Sequence, residues 1–250
     1  MTSNENQNKK THIKDKESKK YKFNKKKSKL NNSDDNGNQN LITDDTAFGI
    51  REAYKTTRTN IMYTLSAKEG CKVIIVTSSI PGEGKTLTSI NTALTFAMTG
   101  AKVLLIDCDL RKSKIHKYMN VDNDTGLSSV LGGFAELKDC IKRDEEKNLA
   151  FITTGHVPPN PLELLSSQKM IDVIEELKGQ YDYIFIDTPP VNVVADTTAI
   201  SSLADGILFV VRYKYTTQDM LYKAISSIEF VDAKILGFLL NDVDLANYTY

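Results

Sequence analysis

The 250-residue sequence has few of the residues that build a metal cage or a disulfide framework. It contains three cysteines, an odd number, and three histidines. Cys71, Cys108 and Cys140 have none of the short spacings of a zinc site, and the histidines are too scattered for a metal cluster or a catalytic triad. We therefore expect free thiols in a reducing compartment, and any chemistry must come from other residue types.

Long apolar runs are also missing, so the sequence predicts neither a membrane-spanning helix nor a signal peptide. The overall charge is zero, but residues 1–30 hold eleven lysines and three acidic residues, which leaves +8 there and −8 in the other 220 residues. Because this segment has no apolar periodicity, we expect residues 1–45 to form a disordered Lys-rich tail. The tail is either solubilising or attracted to an anionic membrane surface, and nothing in it favours nucleic acid.

Short β-branched runs alternate with helical patterns along the rest of the chain. Five runs, with a sixth candidate at 149–153, predict parallel strands buried on both faces: 73–77, 103–107, 183–187, 207–211 and 235–240. Helices are predicted at 48–65, 86–98, 162–177, 196–203 and 218–231. With no internal repeat and no second core, residues 46–245 are predicted to form one doubly wound α/β domain with a mainly parallel sheet and helices on both faces. Ligands of such sheets bind beyond the carboxyl ends of the strands.

The most informative motif follows the first of these strands. Two glycines let successive backbone N–H groups point at an anion, Lys85 can reach the outer phosphates, and the Thr86 hydroxyl suits Mg²⁺. Ser79 replaces the first glycine of the standard pattern. We predict that a nucleoside triphosphate binds at these residues: Ser79, Pro81, Gly82, Glu83, Gly84, Lys85, Thr86 and Leu87.

Two other predicted strands end in aspartate. Asp107 and Asp109 follow one apolar run, and Asp187 follows another. A carboxylate placed directly after apolar strand residues is costly unless a cation or strong donors face it, and Mg²⁺ together with Lys85 would supply that compensation. We predict Thr86, Asp107 and Asp187 as metal ligands, and Lys85, Asp107 and Asp109 as catalytic residues. Asp107 or Asp109 would orient or deprotonate an attacking hydroxyl or water.

With these motifs in place, residues 46–245 resemble the bacterial tyrosine kinases of capsule and exopolysaccharide export, in the form whose cytosolic kinase is a separate polypeptide. Residues 78–86 match the family's Walker A motif, 107–112 its second acidic motif and 184–190 its Walker B motif. Residues 158–165, Pro-Pro-Asn-Pro-Leu-Glu-Leu-Leu, match a further segment of the family. The resemblance implies a P-loop fold of the deviant Walker, MinD-like type. It also implies transfer of the γ-phosphoryl group of ATP to tyrosine, with Mg²⁺ as cofactor.

The resemblance extends to the assembly of subunits. Glu52, Lys55 and Arg58 share a helix face and resemble the family's Glu-x-x-Arg-x-x-Arg helix, which packs subunits into a ring. Lys55 stands where the family has Arg and lacks its bidentate fork, so a weaker contact is expected. The alternative is a solvated face with an internal Glu52–Lys55 pair.

The end of the chain also resembles the family. Tyr248 and Tyr250, in the tail at 246–250, resemble the tyrosine cluster that one subunit presents to its neighbour's active site, although only two tyrosines are present here. Asn241 resembles the asparagine that related ATPases turn toward adenine, although such a residue is also common in turns.

The expected partner is an intracellular tail of a membrane polysaccharide co-polymerase that activates the kinase. The kinase would then be cytoplasmic and peripheral at the inner face of the membrane. The alternative function is a nucleotide-gated, membrane-associated regulatory ATPase without kinase activity. The deviant Walker ATPases that position chromosomes and division sites carry a second Lys early in the loop, where this chain has Ile80. That difference, and the retention of three strand-end carboxylates, favour the kinase.

Overall fold

A computed structural model describes residues 40–243. Most of the predicted Lys-rich tail, and Tyr248 and Tyr250 in the predicted C-terminal tail, lie outside the described residues. The predicted boundary at residue 46 needs a small correction, because Leu41 and Ile42 are buried in the core and the Ile42 N–H donates to Asn91 Oδ1 at 2.9 Å. Between residues 40 and 243, no helix is both long and apolar enough to cross a membrane.

The central sheet of this part of the chain has seven strands in the order β3-β4-β2-β5-β1-β6-β7. The strands are β1 (Lys72–Ser78), β2 (Val103–Asp107), β3 (Lys142–Asp144), β4 (Leu149–Ile152), β5 (Tyr183–Asp187), β6 (Gly206–Arg212) and β7 (Ile235–Asn241). Neighbouring strands are parallel except for the antiparallel pair β3–β4. The predicted doubly wound, mainly parallel sheet is confirmed.

Helices cover both faces of this sheet. They are α1 (Phe48–Thr64), α2 (Lys85–Ala97), α3 (Ile115–Tyr118), α4 (Leu127–Leu131), α5 (Leu137–Cys140), α6 (Pro161–Leu165), α7 (Gln168–Lys178), α8 (Asp196–Ala199), a 3₁₀ turn at Ser201–Leu203, and α9 (Gln218–Phe230). Side chains along β1 alternate between two core clusters, with Val73 and Ile75 in one and Ile74 and Val76 in the other. This period of two is what a strand buried on both faces requires.

Two helix predictions and the number of strands were wrong. The helix predicted at 162–177 is broken after Leu165, because Ser167 caps a new helix by accepting a hydrogen bond from Met170 N. The helix predicted at 196–203 divides into α8 and the 3₁₀ turn. The edge strand β3 was not predicted, because Lys-Arg-Asp has no apolar alternation.

The strand order brings the predicted motifs to one edge of the sheet. The phosphate loop (residues 79–86) leaves β1, which lies between β5 and β6. Asp187 ends β5 and is in register with Val76 of β1 on one side and Asp107 of β2 on the other. Because parallel strands share their carboxyl edge, the loop and these carboxylates meet there.

Candidate active site

The phosphate loop has the backbone conformation of an anion cradle. Gly82 and Gly84 adopt φ angles of 88° and 89°, which L side chains rarely tolerate. A Cβ at Gly84 would lie 2.1 Å from Asn241 Nδ2, so space as well as conformation requires glycine there. Among residues 40–243, no protein acceptor takes the backbone N–H of Gly82 or Gly84. Such N–H groups, in front of the N-terminus of α2, suit phosphate oxygens.

Lys85 joins the motifs into one site. Its Nζ lies 3.1 Å from Asp109 Oδ2 and 3.3 Å from Asp187 Oδ2. Burial lowers the pKa of Lys85, but the negative charges of Asp187, Asp109 and Asp107 outweigh this effect and raise the pKa above its usual value. Lys85 is therefore a largely buried cation, held where the ends of three strands converge.

Asp187 is supported by two hydroxyls from α2. Thr86 Oγ1 donates to its Oδ2 at 2.7 Å, and Ser89 Oγ donates to its Oδ1 at 2.9 Å. Burial raises the pKa of Asp187, and Lys85 and the two hydroxyls oppose this shift only in part. Ser89 was not predicted from the sequence. Its position one helical turn after Lys85, on the same face of α2, was the available signal.

Asp107 and Asp109 are not interchangeable in this arrangement. Asp107 is fully buried and accepts hydrogen bonds from the backbone N–H groups of Asp109 (3.2 Å), Lys114 (3.3 Å) and Ile115 (3.2 Å). Burial, followed by the negative charge of Asp187, raises the pKa of Asp107 to about 7. Asp109 instead pairs with Lys85 and accepts from Lys112 N at 3.0 Å. Asp107 therefore has a pKa suited to exchanging a proton near neutral pH.

The other predicted nucleotide-binding residues differ in the contacts that they make. The Glu83 side chain is buried and accepts from Ile80 N at 2.7 Å and from the Thr216 hydroxyl, so it braces the loop. The buried Ser79 hydroxyl has no hydrogen-bond partner within the described residues. Asn241 Nδ2 donates to Glu83 O at 2.9 Å.

A cleft of about 730 Å³ opens beside the loop, between α1 and the end of β7. It is within the usual size range of small-ligand sites. Its lining includes loop residues and mainly apolar neighbours: Ile50, Ala53, Tyr54, Gly82, Gly84, Leu87, Phe238, Leu239 and Asn241. Leu87 and Asn241, both predicted to contact the nucleotide, thus lie in one cleft next to the phosphate cradle.

An ion pair missed by the sequence reasoning holds the loop after β2. Arg111 Nε and Nη2 donate to the two carboxylate oxygens of Asp196, at 2.8 and 3.1 Å. The Asp196 side chain is almost completely buried at the start of α8. This bidentate pair ties the loop after β2, which carries Asp109, to α8.

The predicted assembly face on α1 has contacts within its own chain. Lys55 Nζ lies 2.7 Å from Glu52 Oε1, and Arg58 Nη1 donates to Thr95 O at 2.8 Å. Glu52 and Lys55 thus form the internal pair that the alternative described. Arg58 joins α1 to the C-terminal part of α2. Packing of this face against a second subunit stays a prediction.

The site suits Mg²⁺ but does not enclose it. Within residues 40–243, no three or more His, Cys, Asp or Glu side chains form a group that could hold a metal ion. Mg²⁺ is usually held by one or two carboxylates, water and substrate phosphates, so a complete protein cage is not required. Thr86 and Asp187 offer a hydroxyl and a carboxylate, and a single Lys85 faces three buried or nearly buried carboxylates. A bound divalent cation would offset that excess negative charge.

Comparison with known proteins identifies the family to which this chain belongs. A family model described as an AAA domain matches residues 71–238. Tyrosine-protein kinase YwqD of Bacillus subtilis is 38% identical over 198 residues, which cover 79% of this chain and 83% of that protein. Tyrosine-protein kinase CpsD of Streptococcus agalactiae is 38% identical over 80% of this chain and 86% of its own length. The chain belongs to the bacterial tyrosine kinase family. This kinase spans only 26% of a longer relative, the putative tyrosine-protein kinase EpsB of Ralstonia solanacearum, at 33% identity.

Solved structures also resemble this bacterial tyrosine kinase. The kinase domain of Escherichia coli tyrosine kinase ETK has a TM-score of 0.73 at 31% identity, covering 80% of this chain and 79% of that one. The chimerical protein CapA2B2 has a TM-score of 0.73 at 35% identity, covering 77% and 84%. The septum site-determining protein MinD of Pyrococcus horikoshii, complexed with Mg-ADP, has a TM-score of 0.59 at 27% identity, covering 68% and 70%. The kinase resemblance is therefore confirmed and the positioning ATPases are more distant.

Proposed function

We propose that this tyrosine kinase transfers the γ-phosphoryl group of ATP to Tyr248 and Tyr250 of a neighbouring subunit. The observation that carries the proposal is the position of Lys85, whose Nζ bridges Asp109 and Asp187 beside the phosphate loop. A cation there would neutralise charge on the transferred group, which is the main demand of phosphoryl transfer. The loop N–H groups bind the phosphates, and the neighbouring cleft accepts the base, with Leu87 and Asn241 in its wall.

Mg²⁺ is the proposed cofactor, with Thr86, Asp107 and Asp187 as its predicted ligands. When bound, the ion would neutralise negative charge on the phosphates of ATP. Ser89 and Thr86 orient Asp187 by donating to its two oxygens. These side chains thus fix the direction of the carboxylate before a metal ion binds.

Asp107 is the proposed proton acceptor when it is not coordinated to the ion, because in the absence of a metal ion burial and Asp187 place its pKa at about 7. A tyrosine hydroxyl has an ordinary pKa of about 10, so a base near neutrality assists its attack. In the transfer, the tyrosine Oη–phosphorus bond forms and the bond from phosphorus to ADP breaks. The hydroxyl proton passes to Asp107, while Asp109 keeps Lys85 in place.

The acceptor tyrosines are supplied in trans. Tyr250 follows the end of β7 by nine residues, which reach at most about 30 Å when extended. That length allows transfer to a neighbour, and the face with Glu52, Lys55 and Arg58 would hold subunits in a ring. The resemblance to the export kinases further supports a role in regulating capsular or exopolysaccharide synthesis. It also supports an activating partner, the intracellular tail of a membrane polysaccharide co-polymerase.

The proposed location is the cytoplasm, at the inner face of the membrane, where the Lys-rich tail would add attraction to anionic lipid. No nucleic-acid partner is proposed.

Phosphosite mapping after incubation with ATP and Mg²⁺ tests the function. Changing both Tyr248 and Tyr250 to Phe should remove most phosphotyrosine, whereas Tyr222→Phe, at an exposed tyrosine on α9, should not. ATP hydrolysis by the wild-type chain without any phosphotyrosine would instead support the alternative, a regulatory ATPase.

A further inference from the structure

The phosphate loop is braced from outside by residues at the ends of β6 and β7. Three consecutive loop carbonyls each accept a hydrogen bond from a different side chain. These bonds are Tyr215 Oη to Pro81 O at 3.1 Å, Arg212 Nη1 to Gly82 O at 3.2 Å and Asn241 Nδ2 to Glu83 O at 2.9 Å.

A second set of contacts holds the Glu83 carboxylate. This side chain is 1% exposed, so leaving it without donors would be costly. Its Oε2 accepts from Ile80 N at 2.7 Å, and its Oε1 accepts from the Thr216 hydroxyl. Arg212 N lies 3.4 Å from Glu83 Oε1 and 3.2 Å from Thr216 Oγ1. The turn after β6 therefore holds the buried Glu83 side chain of the phosphate loop in place.

Because the peptide group is planar, these contacts to carbonyls on the outer side of the loop also fix the N–H groups on its inner side. In a trans peptide the carbonyl of one residue and the N–H of the next point in opposite directions. Holding the carbonyls of Pro81, Gly82 and Glu83 outward therefore holds the next three N–H groups, through Gly84, on the inner side. Those N–H groups form the cradle that faces phosphate, with Gly82 and Gly84 in the left-handed region.

We propose that Arg212, Tyr215, Thr216 and Asn241 act together as a loop latch that sets the phosphate-binding N–H groups for ATP. The assignment rests on the proposed function, in which this loop binds ATP. The latch residues contact the loop and not the transferred group, so they are positioning residues. The Arg212 guanidinium also lies 5.1 Å from the centre of the Tyr215 ring and pairs with Asp242 at 2.8 Å, which keeps two members of the latch together.

The kinetic consequence separates a latch from a purely structural contact. The cradle binds phosphates that are present in both the ground state and the transition state, so its disorder should raise KM for ATP and leave kcat nearly unchanged. Thr216→Val removes the hydroxyl that donates to the Glu83 carboxylate and should raise KM for ATP about tenfold, as expected for one lost bond to a charged group. Thr216→Ser keeps the hydroxyl and should restore KM. Tyr215→Phe should raise KM less, because its bond to Pro81 O is exposed.

The experiment measures KM and kcat for ATP, the Kd of a fluorescent mant-ADP probe, and the thermal midpoint of each variant. Thr99→Val and Tyr222→Phe are matched controls, since Thr99 donates only to Phe96 O and Tyr222 lies on the exposed side of α9. Mant-ADP binding depends on the phosphate loop and not on which tyrosine is phosphorylated. This measurement therefore still tests the latch if the proposed acceptor tyrosines are wrong. A Thr216→Val protein with wild-type KM and Kd would overturn the latch. A loss of kcat with a lowered thermal midpoint, not restored in Thr216→Ser, would also overturn it.

Discussion

Asp107 and Asp187 lie directly opposite each other, in register at the carboxyl ends of the neighbouring strands β2 and β5. Both side chains are fully buried. Two carboxylates in such a place repel each other and lose their hydration, so at least one of them favours the protonated form. Lys85 relieves part of this cost by pairing with Asp187 and Asp109, which leaves Asp107 with a pKa of about 7.

This arrangement predicts a pH-dependent stability in the absence of Mg²⁺ and nucleotide. Asp107 has a pKa of about 7 in the folded protein and an ordinary value of 3.8, so it binds a proton more tightly when folded. Its contribution to stability is therefore complete below about pH 4 and is lost as the pH rises through about 7. The difference in free energy of unfolding, wild type minus Asp107→Asn, should fall between pH 5 and pH 8. Urea titrations in EDTA measure it, with Asp172→Asn on the surface of α7 as control. A difference independent of pH would refute the raised pKa.

Ser89 should contribute to the reaction through Asp187. Ser89→Ala removes the donor to Asp187 Oδ1, and a lost bond to a buried carboxylate should lower kcat/KM by about tenfold. The Mg²⁺ concentration for half-maximal activity should rise as well, because Asp187 is then oriented by Thr86 alone among the hydroxyls. Ser227→Ala, whose hydroxyl donates only to Lys223 O, should behave as wild type. Equal Mg²⁺ dependence in Ser89→Ala would exclude a role in positioning Asp187.

The charged face of α1 should control assembly. Replacing Glu52, Lys55 and Arg58 together by Ala should give a protein that remains folded, since Ala favours helix, but is smaller by light scattering and phosphorylates itself poorly. Lys178 and Glu175 form a matched surface pair at 2.7 Å on α7, and replacing both by Ala should not change the size. Unchanged size in the triple variant would mean that this face serves only its own chain.

The Lys-rich tail should bind anionic membranes. Deleting residues 1–39 keeps Asn40, whose carbonyl accepts from Asn91 Nδ2 at 3.2 Å, and so leaves the packed domain intact. Each lysine near an anionic surface is worth on the order of 1 kcal/mol, so binding to phosphatidylserine vesicles should fall steeply on deletion and with added salt. Activity in solution should change little. Binding of the deleted protein to anionic vesicles at the wild-type level would show that the tail is only solubilising.

The sequence was sufficient for the fold and for the motif residues because both follow local rules. Apolar runs fix the buried strands, and Asp107 and Asp187 must end theirs at the ligand-binding edge. The break in the predicted helix at 162–177 was harder to predict from the sequence, since Ser is tolerated inside many helices and Ser166 and Ser167 gave no clear stop signal. The cap formed by Ser167 is a single hydrogen bond at 3.3 Å to Met170 N.

Partners that depend on strand order could not be predicted. The contacts of Thr216 with Glu83 and of Tyr215 with Pro81 exist because β6 lies next to β1, although more than 130 residues separate each pair in sequence. The pair Arg111–Asp196 has the same origin, since it joins two segments 85 residues apart. No local spacing in the sequence indicates such pairs.

A subunit-mixing experiment tests the central claim most directly. A Lys85→Met protein, which keeps the side-chain length but lacks the cation, is mixed with an active protein in which Tyr248 and Tyr250 are Phe. Lys138→Met, on the surface of α5, serves as the control for loss of a lysine. After incubation with ATP and Mg²⁺, phosphosite mass spectrometry should find phosphate at Tyr248 and Tyr250 of the Lys85→Met subunits, and neither protein alone should gain it there. Phosphate found only on the active subunits, at Tyr21 or Tyr63, would contradict transfer to the C-terminal tyrosines in trans.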